Sequence, residues 1–271
     1  MNDSIDVAHL RNHGWLRVEQ AVPAELCARL VAVLQSEFGL AAKDPHSWPA
    51  ASGGLRDLVP IWGHQTQWDI RQHPRFHRIW ATLWGTDALW VSLDSCRFTP
   101  PRRPGDAAPY PLHWDHDPCD DERQMLQGVL ALTDTTANQG GFRCVPSLYR
   151  DPEARPAAPV IDDGGDENWF CEAAGHDIVP VPAQAGDLIV WDWRLPHGNS
   201  ANLSARPRLA FYVSMFPAGG DEWLGQAPIE SWRSGRCVPL WRGRPGYDRI
   251  EPWPPARLTP LGRRLLGLDP W

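Results

Sequence analysis

The chain has 271 residues, 42% of them hydrophobic and 22% charged, with a formal net charge of −7 and a pI near 5.8. This is the make-up of a globular protein with a sizeable core, and one all-β domain can reach such a length. An acidic balance with no basic stripe argues against nucleic acid as a partner; no apolar run is long enough for a bilayer, and MNDSIDVAHL lacks a signal-peptide core, so a cytoplasmic location without membrane contact is expected.

Residues 7–20 read as a short helix, a turn at Asn12-His13-Gly14 and a strand at Trp15-Leu16-Arg17-Val18. Pro23 suits the first helical position, Leu26, Leu30, Val33, Leu34 and Phe38 keep helical spacing, and Gly39 follows as a stop. Residues 40–70 read as irregular, with Trp48, Trp62 and Trp68. A loop of that length either covers a pocket or wraps the surface. A second helix is expected from near Pro74 to Trp84, with Phe76, Ile79, Trp80 and Leu83 buried and Gly85 at its end.

From Leu89 the texture changes. LWVSLDSCRF, GVLALTDT, FRCVP, VPVPAQ, LIVWDW and RLAFYVSMF read as strands, separated by PPRRPGDAAPYP, by the turn Asn138-Gln139-Gly140-Gly141 and by Ala185-Gly186-Asp187. Residues 150–176 read as a long acidic loop or lid. After Pro217 the chain reads as loop, with a short helix near LGRRLLGL. Helices followed by many short strands imply a mostly β fold with flanking helices, an antiparallel jelly roll. The expected division is one domain, 1–271: helical support over about 1–88, a jelly-roll core over about 89–217 and an extension over 218–271. The six cysteines form no C-x-x-C pair and read as reduced thiols.

The chemistry is carried by His113-Trp114-Asp115 in YPLHWDHDP. In extended backbone, residues i and i+2 project from one face, so His113 and Asp115 can offer an imidazole nitrogen and a carboxylate oxygen to one point. With a distant histidine, His197 in LPHGNS, they match the facial triad of non-haem Fe(II) sites. Alone, the tripeptide is equally at home in a polar surface loop. His116 and Asp117 repeat the residue types without the i, i+2 geometry and read as hydrogen-bonding neighbours.

Four segments in order, faintly HGWLRVEQAVPAELCARL, then HWD, LTDTTANQGGFRCVPSLYR and GDLIVWDWRLPHGNSANLSARPRLA, resemble the phytanoyl-CoA dioxygenase family of Fe(II)- and 2-oxoglutarate-dependent oxygenases over roughly residues 10–215. The resemblance implies a double-stranded β-helix of the cupin-like kind. It implies His113, Asp115 and His197 as iron ligands, Arg208 on the distal carboxylate of 2-oxoglutarate, and O₂ as the oxidant, with release of succinate and CO₂. Arg206 has the same strand parity and is the runner-up. Asn199 stands where the family commonly has a small hydroxyl residue and can still donate to a carboxylate. Pro146-Ser147-Leu148-Tyr149 departs from the family's Gly-Ser-His. Gln127, heading an inward series with Val129 and Ala131, is a candidate for the co-substrate or the substrate, or a structural glutamine. Trp62, Trp68 and Arg71 suggest contacts to an apolar small molecule bearing an anionic group. Two other classes fit the fold: a three-ligand zinc hydrolase, which needs no Arg208, and a non-catalytic binding protein, which needs no triad. The oligomeric state is not read from the chain.

Overall fold

A computed structural model describes residues 5–40, 48, 58–109, 111–119, 125–151, 153, 160–161, 167–171, 173, 175–219, 222–244 and 246–271. Helix α1 (Val7–His13), strand β1 (Trp15–Val18) and helix α2 (Ala24–Phe38) open it, followed by β2 (Leu58–Val59), α3 (Gln65–Arg71) and α4 (Pro74–Trp84). Next come β3 (Leu89–Val91), β4 (Cys96–Thr99), β5 (His113–Trp114), β6 (Leu126–Ala131), β7 (Phe142–Cys144) and a one-turn helix α5 (Pro146–Tyr149). Strands β8 (Val160–Ile161), β9 (Glu167–Phe170), β10 (Val179–Pro180), β11 (Leu188–Asp192), β12 (His197–Asn199), β13 (Arg208–Tyr212) and β14 (Met215–Pro217) lead to helices α6 (Glu222–Ser234) and α7 (Pro260–Leu266).

Two six-stranded sheets face one another. The larger runs β1-β11-β6-β13-β4-β2, the smaller β10-β7-β12-β5-β9-β8, and the pairings are antiparallel. This is the jelly roll expected from the strand pattern. Between the sheets lies an apolar lumen built from Val129, Ala131, Phe142, Ile189, Trp191 and Ala210. The opposite face of the larger sheet packs on the helices, where Leu30 and Leu34 of α2 and Phe76 and Trp80 of α4 meet Leu130, Val190 and Phe211. Contact there is close: a Cβ on Gly128 would lie 2.6 Å from the Val213 carbonyl and 2.7 Å from the Trp80 ring, so only glycine fits.

Helix α2 ends as its sequence requires, at Gly39 in the left-handed region with φ 64°. Other expectations change. LWVSLDSCRF is two strands, because Ser92-Leu93-Asp94-Ser95 leaves the ladder; β3 pairs with β14 in a separate ribbon while β4 joins the larger sheet. RLAFYVSMF divides in the same way into β13 and β14. The stretch 40–70 ends in the regular helix α3, and the stretch 150–176 contributes β8 and β9, whose Phe170 pairs with His113. Most of the rest of both stretches lies outside the described residues, and the lid reading lies there with it. After Pro217 the chain forms α6, which continues through Pro228.

Candidate metal and co-substrate site

Strand pairing brings the triad together. His113 of β5 and His197 of β12 are direct cross-strand partners, and Asp115 follows His113 by two residues. The Nε2 atoms of His113 and His197 each lie 3.3 Å from an Asp115 carboxylate oxygen, and one ligand atom from each of the three residues falls within 4.8 Å of the others. His113 Nδ1 is 2.9 Å from the Pro111 carbonyl and His197 Nδ1 is 3.0 Å from that of Leu195. With Nδ1–H donated to a carbonyl, Nε2 carries the lone pair, and both lone pairs then face the carboxylate. Three electron-pair donors this close are stabilised by a cation between them, so the donor set fits a divalent metal such as Fe(II). Burial raises the Asp115 carboxyl, but the two imidazoles outweigh it and hold the group well below the usual carboxylate range. For His113 the order is reversed: burial lowers the imidazole, and the Asp115 contact raises it overall.

Aromatic rings fix His197 from behind. Phe142 stacks on it at 5.7 Å between ring centroids, and Trp191 lies tilted at 4.9 Å. His197 is 6% exposed, while the Asp115 side chain keeps 29% of its surface, so the triad opens on one side.

Arg208 begins β13 and is 4% exposed. It shares the lumen-facing parity of Ala210 and Tyr212. Its Nη1 donates to Asn199 Oδ1 at 2.9 Å, and Asn199 Nδ2 donates to the Tyr212 hydroxyl at 3.3 Å. Asn199 is two residues beyond His197 on β12, so this chain of side chains leads from the triad to the guanidinium. Arg206 is exposed in the preceding loop, where its amide donates to Ser204. Pro207 separates the two positions, and pairing begins after it.

Gln127 also faces the lumen, directly opposite Trp191. It stands about six residues along β6 from the level of Arg208, or roughly 20 Å. That separation keeps it away from the distal end of a ligand held by Arg208. Its Oε1 is buried without a hydrogen-bond partner among the described residues. His116 is exposed, with its ring 5.5 Å from that of Trp193.

The substrate contacts expected of Trp62, Trp68 and Arg71 are corrected. Arg71 lies 5.0 Å over the ring of Phe211, whose parity is opposite to that of Arg208, so it stands on the helix-facing side of the sheet. Its Nη1 donates to the Trp62 carbonyl at 2.8 Å and its Nη2 to the Asp94 carbonyl at 3.0 Å. Trp62, Trp68 and Arg71 are at most 1% exposed. They brace the helical layer. Conversely, Arg97 and Tyr212 belong to the lumen cluster and carry no motif of their own. Strand parity with Arg208 is the signal that marks Tyr212; Arg97 sits in CRFT, which is buried on both faces and offers no alternation to read.

A model of the phytanoyl-CoA dioxygenase family matches residues 10–210. The Ava biosynthesis cluster protein O of Aspergillus versicolor is 26% identical over 203 residues, covering 67% of this chain and 65% of that protein, so the chain spans slightly less than two thirds of that relative. Among solved structures, the epimerase SnoN in complex with Fe³⁺, α-ketoglutarate and nogalamycin RO is 18% identical with a TM-score of 0.57, covering 93% of this chain and 94% of its own. GlcNAc Inducible Gene 2 of Candida albicans is 14% identical with a TM-score of 0.74, covering 100% and 78%. The chain belongs to the phytanoyl-CoA dioxygenase family, a family that depends on iron and 2-oxoglutarate.

Proposed function

We propose that the chain is an Fe(II)- and 2-oxoglutarate-dependent dioxygenase that hydroxylates an unactivated C–H bond of a small-molecule substrate, releasing succinate and CO₂. The observation that carries this reading is the convergence of His113 Nε2, Asp115 and His197 Nε2 on the smaller sheet, in a lumen that also holds the buried Arg208 of the larger sheet, bonded to Asn199. His113, Asp115 and His197 would hold Fe(II). When bound, the metal and the 2-oxo acid supply the oxidising chemistry with O₂, and a three-ligand protein set leaves room for both.

The chain's own contribution is positioning. The carbonyls of Pro111 and Leu195 hold both imidazoles with Nε2 toward the centre. Arg208 offers a planar fork to the distal carboxylate, and Asn199 orients that fork. Phe142 and Trp191 keep water from the rear of His197. A zinc hydrolase would use the same three ligands but has no need of an oriented arginine in the lumen, and a binding protein has no need of the triad. The carboxylate of Asp115 fills the position that a halide would occupy in a halogenase, so the chemistry is oxygenation or a related oxidation. SnoN, with its bound nogalamycin compound, is consistent with a small organic molecule as substrate.

The test is succinate formation in air with Fe(II) and 2-oxoglutarate, repeated with candidate small molecules and product mass. Iron-dependent succinate, stimulated by a compound that gains one oxygen atom, is expected. Hydrolysis supported by zinc without 2-oxoglutarate, or a chlorinated product, would overturn the reading.

A further inference from the structure

A cleft of about 400 Å³ opens where α1, β1, α5 and the segment leading into β10 meet. No residue of the triad lines it. His9, His13 and His176 do, with Trp15, Arg150 and Asp177. Three of the chain's ten histidines are thus gathered at one place apart from the triad. His9 and His13 are half-buried and belong to α1, whereas His176, Arg150 and Asp177 are exposed.

His9 and His13 stand four residues apart on the helix, so they share one face, one above the other. Their ring centroids are 4.4 Å apart and the ring planes tilt by 34°. Paired imidazoles at this spacing can each turn a nitrogen to one point, which is how two histidines at i and i+4 chelate a transition metal. His9 Nε2 is buried and has no hydrogen-bond partner among the described residues. A buried, unpartnered nitrogen beside a cavity carries a desolvation cost that a bound cation removes. Burial, and after it the facing His13, lower the His9 imidazole, with Asp6 opposing. A neutral ring keeps the lone pair that a metal needs. Trp15, set edge-on to His9 at 4.9 Å, limits the rotation of that ring.

We propose that His9 and His13 form a second, exchangeable metal site, for a borderline transition-metal ion such as Zn(II), with water in the remaining positions. Imidazole ligands without a carboxylate suit Zn(II), Cu(II) and Ni(II), whereas the triad adds an oxygen ligand. The site is an open clamp and not a closed cage: among the described residues only the triad brings three candidate ligand atoms within 4.8 Å of one another. His176 lies in the same cleft, but its Nδ1 is 3.0 Å from Ser147 Oγ. Arg150 repels a cation, yet it is exposed, where salt screens it, and Asp177 offsets it. A metal that binds only the folded helix also holds α1 against fraying. The site does not depend on the oxygenase reading.

The test is equilibrium dialysis of the full chain against Zn(II), with bound metal counted, in wild type, His9→Gln, His13→Gln and His197→Ala. Wild type is expected to bind two equivalents, one at the triad and one at the clamp. His9→Gln and His13→Gln should each raise the Kd of the clamp at least about tenfold and keep the triad equivalent. His197→Ala should weaken the triad equivalent and keep the clamp, which separates failure of the triad from failure of the clamp. A wild-type protein that binds Zn(II) at the triad alone, or a second equivalent that survives in both His9→Gln and His13→Gln, overturns the proposal. Should either variant not fold, the backbone amide resonances of wild-type α1 serve instead. Zn(II) must move those of His9 and His13, and signals that stay in place overturn it equally.

Discussion

Arg71 and Arg208 are buried on opposite sides of the same sheet, and they do different work. Arg71 donates to the backbone carbonyls of Trp62 and Asp94, on segments far apart in the chain, and lies between the rings of Trp68 and Phe211. Burial lowers it to about 10, Asp94 opposes that, and it stays charged while stapling the helical layer to the barrel. Arg208 bonds instead to the side chain of Asn199, beside a metal-competent triad. A buried cation surrounded by tryptophans is therefore not a binding site by composition alone. What its donors reach decides between a brace and a ligand contact.

The largest effect that sharpens this contrast is on the lumen side. His113→Ala, Asp115→Ala and His197→Ala should each lower Fe(II) affinity and abolish succinate formation, measured by metal analysis and product assay. Arg71→Ala comes next. It strands two buried carbonyls at about 1–3 kcal/mol each and opens a cavity, so a loss of about 3–5 kcal/mol in denaturant unfolding is expected, with normal 2-oxoglutarate affinity in the folded protein. If Arg71→Ala unfolds normally but loses co-substrate, the two regions have been assigned the wrong way round. Arg208→Ala should raise the 2-oxoglutarate KM at least about tenfold, roughly 1.4 kcal/mol, with little change in unfolding. Smallest are Arg206→Ala, which should leave that KM nearly unchanged, and His116→Ala, which should keep iron. A large effect at Arg206 would mean that the functional strand starts two residues earlier.

The triad was readable because its geometry is local: a two-residue spacing on extended chain carries its own face, and LPHGNS supplied the partner through a motif. Arg208 came from the family resemblance, and Pro207, after which strand pairing begins, separates it from Arg206. Tyr212 carries no motif, but it shares the parity of Arg208 along the same strand. Trp62, Trp68 and Arg71 were misread because apolar composition says that a residue is buried but not on which side of a sheet. Arg97 was silent for a related reason, since every residue of CRFT is buried. The breaks after Val91 and Tyr212 fall inside largely apolar runs where strand propensity continues although the hydrogen-bond partner changes. Helix α6 contains Gly225 and Pro228, which read as loop residues, and its helical form depends on contacts beyond local propensity.

The central claim is that the lumen cluster binds Fe(II) and 2-oxoglutarate together. It is tested most directly by adding Fe(II) and then 2-oxoglutarate to the protein without oxygen and recording the visible spectrum. The account predicts a charge-transfer band that saturates at one iron and one 2-oxoglutarate per chain, absent in His197→Ala and fully developed in the folded fraction of Arg71→Ala. A wild-type protein that gives no band, or a band that survives His197→Ala, would contradict it.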